Sequence, residues 1–265
     1  MRIMLCQCES LGGDVEVNVE RLTGFIAAAA ADDVDLVIAP EMFLSGYNIG
    51  PAAAARLAEP VDGPTHRRIS AIAAEHRVAV IYGFPELSGD DSDIGESVYN
   101  AVRFVDRDGT TLTVHRKTHL FGALDREMVA ESHERGTVVD FEGWRIGLAI
   151  CYEVEFAELV RGLAVDGADL VCVPTANMAE FSVVQTVLLP ARALENQVFV
   201  AYANYCGDDD GLLYGGLSTV TGPGGDVVVR AGTGPETVIA EIDRDELDKS
   251  RATFPYLLDR RPELY

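Results

Sequence analysis

The run Arg145-Ile146-Gly147-Leu148-Ala149-Ile150-Cys151-Tyr152-Glu153 constrains the fold of this chain more than any other segment. A charge opens it, short apolar residues follow and a polar cluster closes it, which predicts a buried strand. Cys151 then falls where a strand hands over to a loop, at the carboxyl edge that α/β enzymes use for chemistry. Two other runs end the same way. Leu36-Val37-Ile38-Ala39-Pro40 precedes Glu41, and Thr111-Leu112-Thr113-Val114-His115-Arg116 precedes Lys117. Taken singly, such a thiol reads as a small buried hydrophobe, such a glutamate as a loop residue and such a lysine as an edge gatekeeper. Together they form a candidate base, oxyanion clamp and nucleophile.

Around these runs, strand and helix patterns alternate. Ile3 to Cys8 predicts a first strand, and Val15, Val19, Leu22 and Ile26 mark one face of a helix ending near Asp32. Val34 to Ala39 reads as a strand, Ile69, Ile72 and Ala73 as the core face of a helix starting after Pro64, and Val78 to Tyr82 as a strand. Val98 to Val105 and Thr110 to Arg116 flank Asp106-Arg107-Asp108-Gly109, a hairpin signal. Phe156, Leu159, Val160 and Leu163 form another helical stripe, and Asp169 to Val173 a strand. Val183 to Glu195 predicts a helix, followed by strands at Val198 to Asn204, Leu217 to Thr221, Val227 to Val229 and Thr237 to Ile242. Met128 to Gly136 is polar and reads as an exposed loop. The pattern is α/β with a mixed sheet system, expected as one domain over residues 1–265.

Charge narrows the partners. Against 21 Lys and Arg stand 43 Asp and Glu, a net −22 that repels nucleic acid and anionic membranes. The acids spread along the chain, with small clusters at Asp90-Asp91-Ser92-Asp93 and Asp208-Asp209-Asp210, as on a solvated surface. That surface fits either a soluble acidic protein or one adapted to a salty cytoplasm. Neither a signal sequence nor an uncharged apolar stretch long enough for a membrane span is found. Cysteines 6, 8, 151, 172 and 206 are odd in number and mostly within strand-like runs, so they read as reduced thiols of a cytoplasmic protein.

The contexts Ala39-Pro40-Glu41-Met42-Phe43-Leu44-Ser45-Gly46-Tyr47, His115-Arg116-Lys117-Thr118-His119-Leu120-Phe121 and Gly147 to Phe156, followed by Val173-Pro174-Thr175-Ala176-Asn177, resemble the nitrilase superfamily of carbon–nitrogen hydrolases. The resemblance runs from Ile3 to about Asp243. Within the superfamily, the stretches around Lys117 and Asn177 look more similar to aliphatic and stereoselective amidases than to true nitrilases. The resemblance implies a four-layer α-β-β-α sandwich and the catalytic set Glu41, Lys117 and Cys151. Cys151 would attack an amide carbonyl to form a thioester, Glu41 would move protons, and Lys117 with the backbone N–H of Tyr152 would hold the oxyanion. No cofactor and no metal are expected. The resemblance also implies a homodimer or larger oligomer, to which the apolar tail residues Phe254, Tyr256, Leu257 and Leu258 within 244–265 are expected to contribute.

One stretch departs from the family pattern. Where many relatives carry a second glutamate, register places Asp125, one methylene shorter, with Glu127 as a weaker substitute, and a Pro-Gly is missing after it. Arg192 with Glu195-Asn196 matches a helix near the family's site and reads here as a structural ion pair.

Rival chemistries fit less well. A Cys–His pair would need one of five histidines, and the local signature of papain-like proteases is absent. His119 is expected to pack near the site, and His66 and His76 to lie on a helix surface. Cys6-Gln7-Cys8 puts two thiols on one strand face, without the turn that a zinc knuckle needs. Gly222-Pro223-Gly224-Gly225 joins two strands and opens no helix, so it is a turn rather than a phosphate cradle. Tyr47, Phe121, Tyr152 and Asn177 are expected to line a compact pocket with few cations, which suits a small neutral or amine-bearing carboxamide. Nitrile, ω-amide or N-carbamoyl hydrolysis by the same residues remains open, as does a non-catalytic ligand-binding protein on the same scaffold.

Overall fold

The computed structural model describes residues 1–89 and 97–264, so the cluster from Asp90 to Asp93 lies outside the described residues. Strand β1 (Arg2–Glu9) alternates strictly: Ile3 and Leu5 face one way, Met4, Cys6 and Cys8 the other. Helix α1 (Val15–Ala31) starts where the Asp14 side chain accepts from Val17 N at 3.1 Å, and buries Val19, Leu22 and Ile26. Strand β2 (Leu36–Ile38) runs parallel to β1, with Leu36 opposite Ile3. Helices α2 (Gly50–Leu57) and α3 (Pro64–His76) each begin on a proline in the first turn, where no N–H is needed. Strand β3 (Ala79–Leu87) runs parallel to β2, then β4 (Val98–Val105) and β5 (Thr111–Arg116) return antiparallel around the expected turn.

The sequence reading of α3 needs one correction. His66 is not on the helix surface but fully buried, its Nδ1 2.9 Å from the Tyr82 hydroxyl and its ring against Phe84. Burial, then the nearby Arg103 charge, lowers its pKa to about 3, so the ring is neutral.

Helix α4 (Gly122–Met128) and strand β6 (Val138–Phe141) lead to β7 (Trp144–Leu148). The segment after α4 is only partly the exposed loop expected. Met128, Val129 and Ser132 are buried, with Ala130 N donating to Val98 O and Ser132 N to Lys117 O. A 3-10 turn (Cys151–Glu155) passes into α5 (Ala157–Val165), then β8 (Leu170–Pro174). The single helix expected at 183–195 is a π turn (Val184–Leu188) continued by α6 (Leu189–Asn196). Pro190 explains the wide turn, because its ring cannot donate into a regular ladder and crowds the preceding carbonyl.

Strand β9 (Phe199–Ala203) is followed by β10 (Tyr205–Asp209), β11 (Leu212–Gly215), β12 (Thr219–Thr221), β13 (Val227–Arg230) and β14 (Glu236–Glu241), and the chain closes with α7 (Arg244–Thr253) and α8 (Tyr256–Asp259). Among the described residues the first sheet has the order β11-β10-β1-β2-β3-β4-β5, with β14 also pairing β1, and the second β13-β12-β9-β8-β7-β6.

Three apolar clusters fix the layers. Ile3, Leu5, Leu36, Ile81 and Phe104 of the first sheet meet Ile146, Leu148, Leu170 and Phe199 of the second. The outer face of the first sheet packs on α1 and α3, and that of the second on α5 and α6 through Val160, Leu163, Leu189 and Ala193. Each such side chain fully buried contributes about 1.5–3 kcal/mol. The architecture is the four-layer α-β-β-α sandwich. Where the chain crosses between sheets after β9, the Asn204 side chain accepts from Asn177 N at 2.8 Å and donates to Gly216 O at 2.8 Å. This polar knot ties both sheets at the ends that carry the candidate site.

Candidate active site

Glu41 leaves the end of β2 through Ala39 and Pro40, and Met42 turns the chain with φ of 51°. Gly83 on β3 permits this: a Cβ there would stand 2.2 Å from Met42 N. Lys117 follows β5 directly, its backbone N–H bonded to Asn100 O at 2.8 Å. Asp125 sits in the first turn of α4. These three side chains come from distant parts of the chain and are all fully buried.

Lys117 Nζ lies 2.6 Å from Glu41 Oε1 and 2.6 Å from Asp125 Oδ2. Burial alone would lower the ammonium's pKa, but the charges of Glu41 and then Asp125 outweigh it and hold the group protonated well above the ordinary lysine range. Besides Lys117, the Asp125 carboxylate accepts two further hydrogen bonds, from the Tyr47 hydroxyl at 2.8 Å and from Phe121 N at 2.8 Å. The shorter acid therefore reaches the lysine, and Glu127, the weaker alternative, is not needed.

Glu41 Oε1 also accepts from Asn100 Nδ2 at 2.6 Å. Its other oxygen, Oε2, is buried with no hydrogen-bond partner among the described residues. An unanswered carboxylate oxygen is costly, and such atoms concentrate where a reacting group must be met. Burial raises the Glu41 pKa, opposed by the Lys117 charge and reinforced by Asp125.

Cys151 opens the 3-10 turn with φ of 48°, a left-handed conformation that a non-glycine residue adopts at a cost and that recurs at strained functional positions. The thiol meets the Thr175 hydroxyl and the Ala176 N–H at the end of β8. Burial, then the negative charge of Glu41, pushes its pKa well up, with Lys117 acting in the opposite sense. At rest the group is a thiol that needs a base. As the second residue of the turn, Tyr152 has no carbonyl behind it within the turn, which leaves its N–H available for an anion.

Glu153 is a buried residue of the candidate site that sequence reasoning missed. Its carboxylate receives Ile150 N at 2.6 Å, His115 Nε2 at 2.8 Å, Thr118 N at 2.7 Å and Thr118 Oγ1 at 2.6 Å. One buried side chain thus pins the turn of Cys151 to the strand end of Lys117. Burial would raise its pKa, yet His115 and the Thr118 donors bring it down to about 2. Arg192 does make the expected ion pair with Glu195 at 3.0 Å, and it also donates to Val154 O at 3.0 Å and Glu155 O at 2.5 Å, clamping the end of the Cys151 turn. No local signal distinguishes these roles, because both arise from contacts between distant segments.

The expected pocket residues divide. Phe121 lines an open cavity of about 430 Å³ with Leu124, Met178 and Phe181, and its ring centroid is 5.4 Å from that of Tyr152 and 5.7 Å from that of Phe181. Tyr47 is not on the cavity wall; its hydroxyl is spent on Asp125 from below. Asn177 Nδ2 donates to Phe181 O and Gln185 Oε1 at 3.2 Å each, which braces the wall. His119 packs against Phe156, 4.2 Å between centroids, close to the site as expected. Among the described residues no group of three or more His, Cys, Asp or Glu side chains is arranged to hold a metal ion.

Comparison with known proteins identifies the family. The profile of the carbon–nitrogen hydrolase family matches residues 2–252. A hydrolase encoded in the pqqF 5' region of Pseudomonas protegens is 46% identical over 265 residues, covering 100% of this chain and 90% of its own. An (R)-stereoselective amidase of a Pseudomonas species is 36% identical over 262 residues, covering 98% and 92%. A solved amidase from a Nesterenkonia species superposes with a TM-score of 0.88 at 32% identity, covering 100% of this chain and 94% of that one. Further structures of that amidase carry butyramide in a Cys→Ala variant and a covalent acetamide moiety at the active-site cysteine. By family profile, identity and fold, the chain belongs to the carbon–nitrogen hydrolases of the nitrilase superfamily.

Proposed function

We propose that residues 1–265 form one catalytic unit that hydrolyses small carboxamides to a carboxylic acid and ammonia through a thioester on Cys151. The observation that carries this reading is the buried Glu41–Lys117–Asp125 cluster, held with one Glu41 oxygen unanswered beside a strained, buried thiol. Glu41 takes the thiol proton as sulfur attacks the carbonyl carbon. Lys117 and the Tyr152 N–H hold the oxyanion, and Glu41 returns the proton to the departing ammonia. Water activated by Glu41 then cleaves the thioester. Asp125 and Tyr47 keep Lys117 in place throughout. Phe121 and Tyr152 shape the apolar approach.

Support comes from the relatives, which include amidases and ω-amidases and a neighbour solved with butyramide. Nitrile hydrolysis would use the same three residues, so a substrate panel decides. Ammonia release from short amides, ω-amides, carbamoyl compounds and nitriles is expected to be fastest with short amides. Faster turnover of nitriles than of every amide would overturn the reading.

Assembly and setting belong to the same proposal. Phe254, Tyr256 and Leu258 are exposed, Leu258 at 86%, which supports burial against a second copy. Light scattering at micromolar concentration is expected to give at least twice the 28.6 kDa of one chain. Five free cysteines support a cytoplasmic location, and no described helix is long and apolar enough to cross a membrane.

A further inference from the structure

Glu155 closes the turn that Cys151 opens, and neither the catalytic scheme nor the fold makes use of its carboxylate. In a 3-10 helix residues i and i+3 eclipse, so Glu155 shares a face with Tyr152. That face adjoins the cavity wall through Tyr152, which packs on Phe121, while Glu155 itself does not line the cavity. Glu155 is half-buried, and no described residue donates a hydrogen bond to its side chain. Arg192 is the obvious candidate, yet its Nε, Nη1 and Nη2 go to Val154 O, the Glu195 carboxylate and the Glu155 backbone oxygen. The charge of Glu155 acts on Lys117 and on Tyr202, whose hydroxyl lies 3.0 Å from Thr175 beside the thiol.

A second observation points the same way. The charged residues lining the cavity are Glu180 and Asp210, both exposed and both acidic, and no Lys or Arg lines it. A half-buried carboxylate with no hydrogen-bond donor is only partly hydrated, and a negatively lined cleft concentrates cations. A ligand that brought a cation would satisfy both.

We propose that Glu155 is an ammonium-binding residue, and that the preferred substrates are amides bearing a protonated amine a few bonds from the scissile carbonyl. This rests on the amidase reading above and adds to it the substrate class. The amine docks on Glu155 and the amide lies across Cys151, with Glu180 and Asp210 drawing the cation into the cavity. Burial, partly offset by Arg192 and Lys117, raises the Glu155 pKa, and an ammonium docked there would act in the opposite sense by favouring the carboxylate.

The test uses the full chain and two amides of equal length, 3-aminopropanamide and butyramide. The wild type is expected to show the higher kcat/KM for the aminoamide. Glu155→Gln is expected to lower the ratio of the two values by about tenfold or more, chiefly through KM for the cation, because a hydrogen-bonded charge pair is lost. Glu155→Asp should retain an intermediate ratio. In the wild type alone, added salt should lower the aminoamide's kcat/KM and leave that of butyramide level. A wild-type ratio at or below one, a ratio indifferent to salt, or an equal loss for both amides in Glu155→Gln would each overturn the assignment while leaving the amidase reading intact. Release of ammonia from neither amide would overturn the amidase reading, and this one with it.

Discussion

The two halves of the site are held in different ways. The floor, built from the first sheet and α4, is fixed by charge: Lys117 sits between Glu41 and Asp125, and all three are sealed from solvent. The nucleophile turn, built from the second sheet, is fixed by backbone. Its Cys151 carries the strained φ, and Glu153 and Arg192 grip main-chain N–H and carbonyl groups around it. The difference separates chemistry from placement. Changes in the floor alter which groups are charged, whereas changes in the turn's braces alter where the sulfur stands.

Removing the sulfur gives the largest effect. Cys151→Ala should fold and lose turnover by at least about 10⁴-fold, as expected when a covalent nucleophile is deleted. Activity within tenfold of wild type would contradict the covalent scheme. Lys117→Ala comes next and breaks the floor. It leaves two buried carboxylates facing each other, so it should abolish activity and destabilise the fold by about 3–5 kcal/mol. An unchanged denaturation midpoint would show that the floor is not held by charge.

Glu153→Gln probes the brace. It should leave the thiol-labelling site intact and lower kcat by about 10²-fold, the cost expected of a misplacement near one ångström. The same residue predicts a pH effect on stability. Its folded pKa of about 2 lies below the unfolded carboxylate value, so its stabilisation is complete above that value. It is then lost as pH falls through about 2. Acid denaturation followed by circular dichroism should shift to higher pH in Glu153→Gln, and superimposable acid transitions would argue against the brace. Tyr47→Phe is the mildest change. Asp125 keeps Lys117 and Phe121 N, so kcat/KM should fall only about three- to tenfold, and a larger loss would mean that Tyr47 contacts substrate.

The same contrast governs what the sequence reveals. The strand ends that carry Glu41, Lys117 and Cys151 were legible because each follows a run whose pattern identifies a strand, as at Leu36 to Ile38 and Trp144 to Leu148, whereas Asp125 was placed by register alone. Helix α4 has seven residues, too few to display a 3.6-residue period. Strands β10 and β11 were hidden because Asp208, Asp209 and Asp210 read as acidic surface and Gly207 breaks the alternation with φ of 80°. The burial of His66 was readable in principle: His66, Ile69 and Ala73 follow the core spacing of α3. The braces were not readable. Glu153 meets Thr118 across 35 residues and Arg192 meets Val154 across 38, and such pairings exist only once the sheets have stacked.

The central claim is a covalent intermediate on one particular sulfur. Wild-type enzyme turning over butyramide, quenched in acid and mapped by peptide mass spectrometry, should carry a butyryl group on the peptide containing Cys151, removable by hydroxylamine, with Cys6, Cys8, Cys172 and Cys206 unmodified. Rapid turnover with no acyl group on Cys151, in enzyme quenched at several times across the approach to steady state and assayed with a slower-deacylating amide as well, would contradict the account.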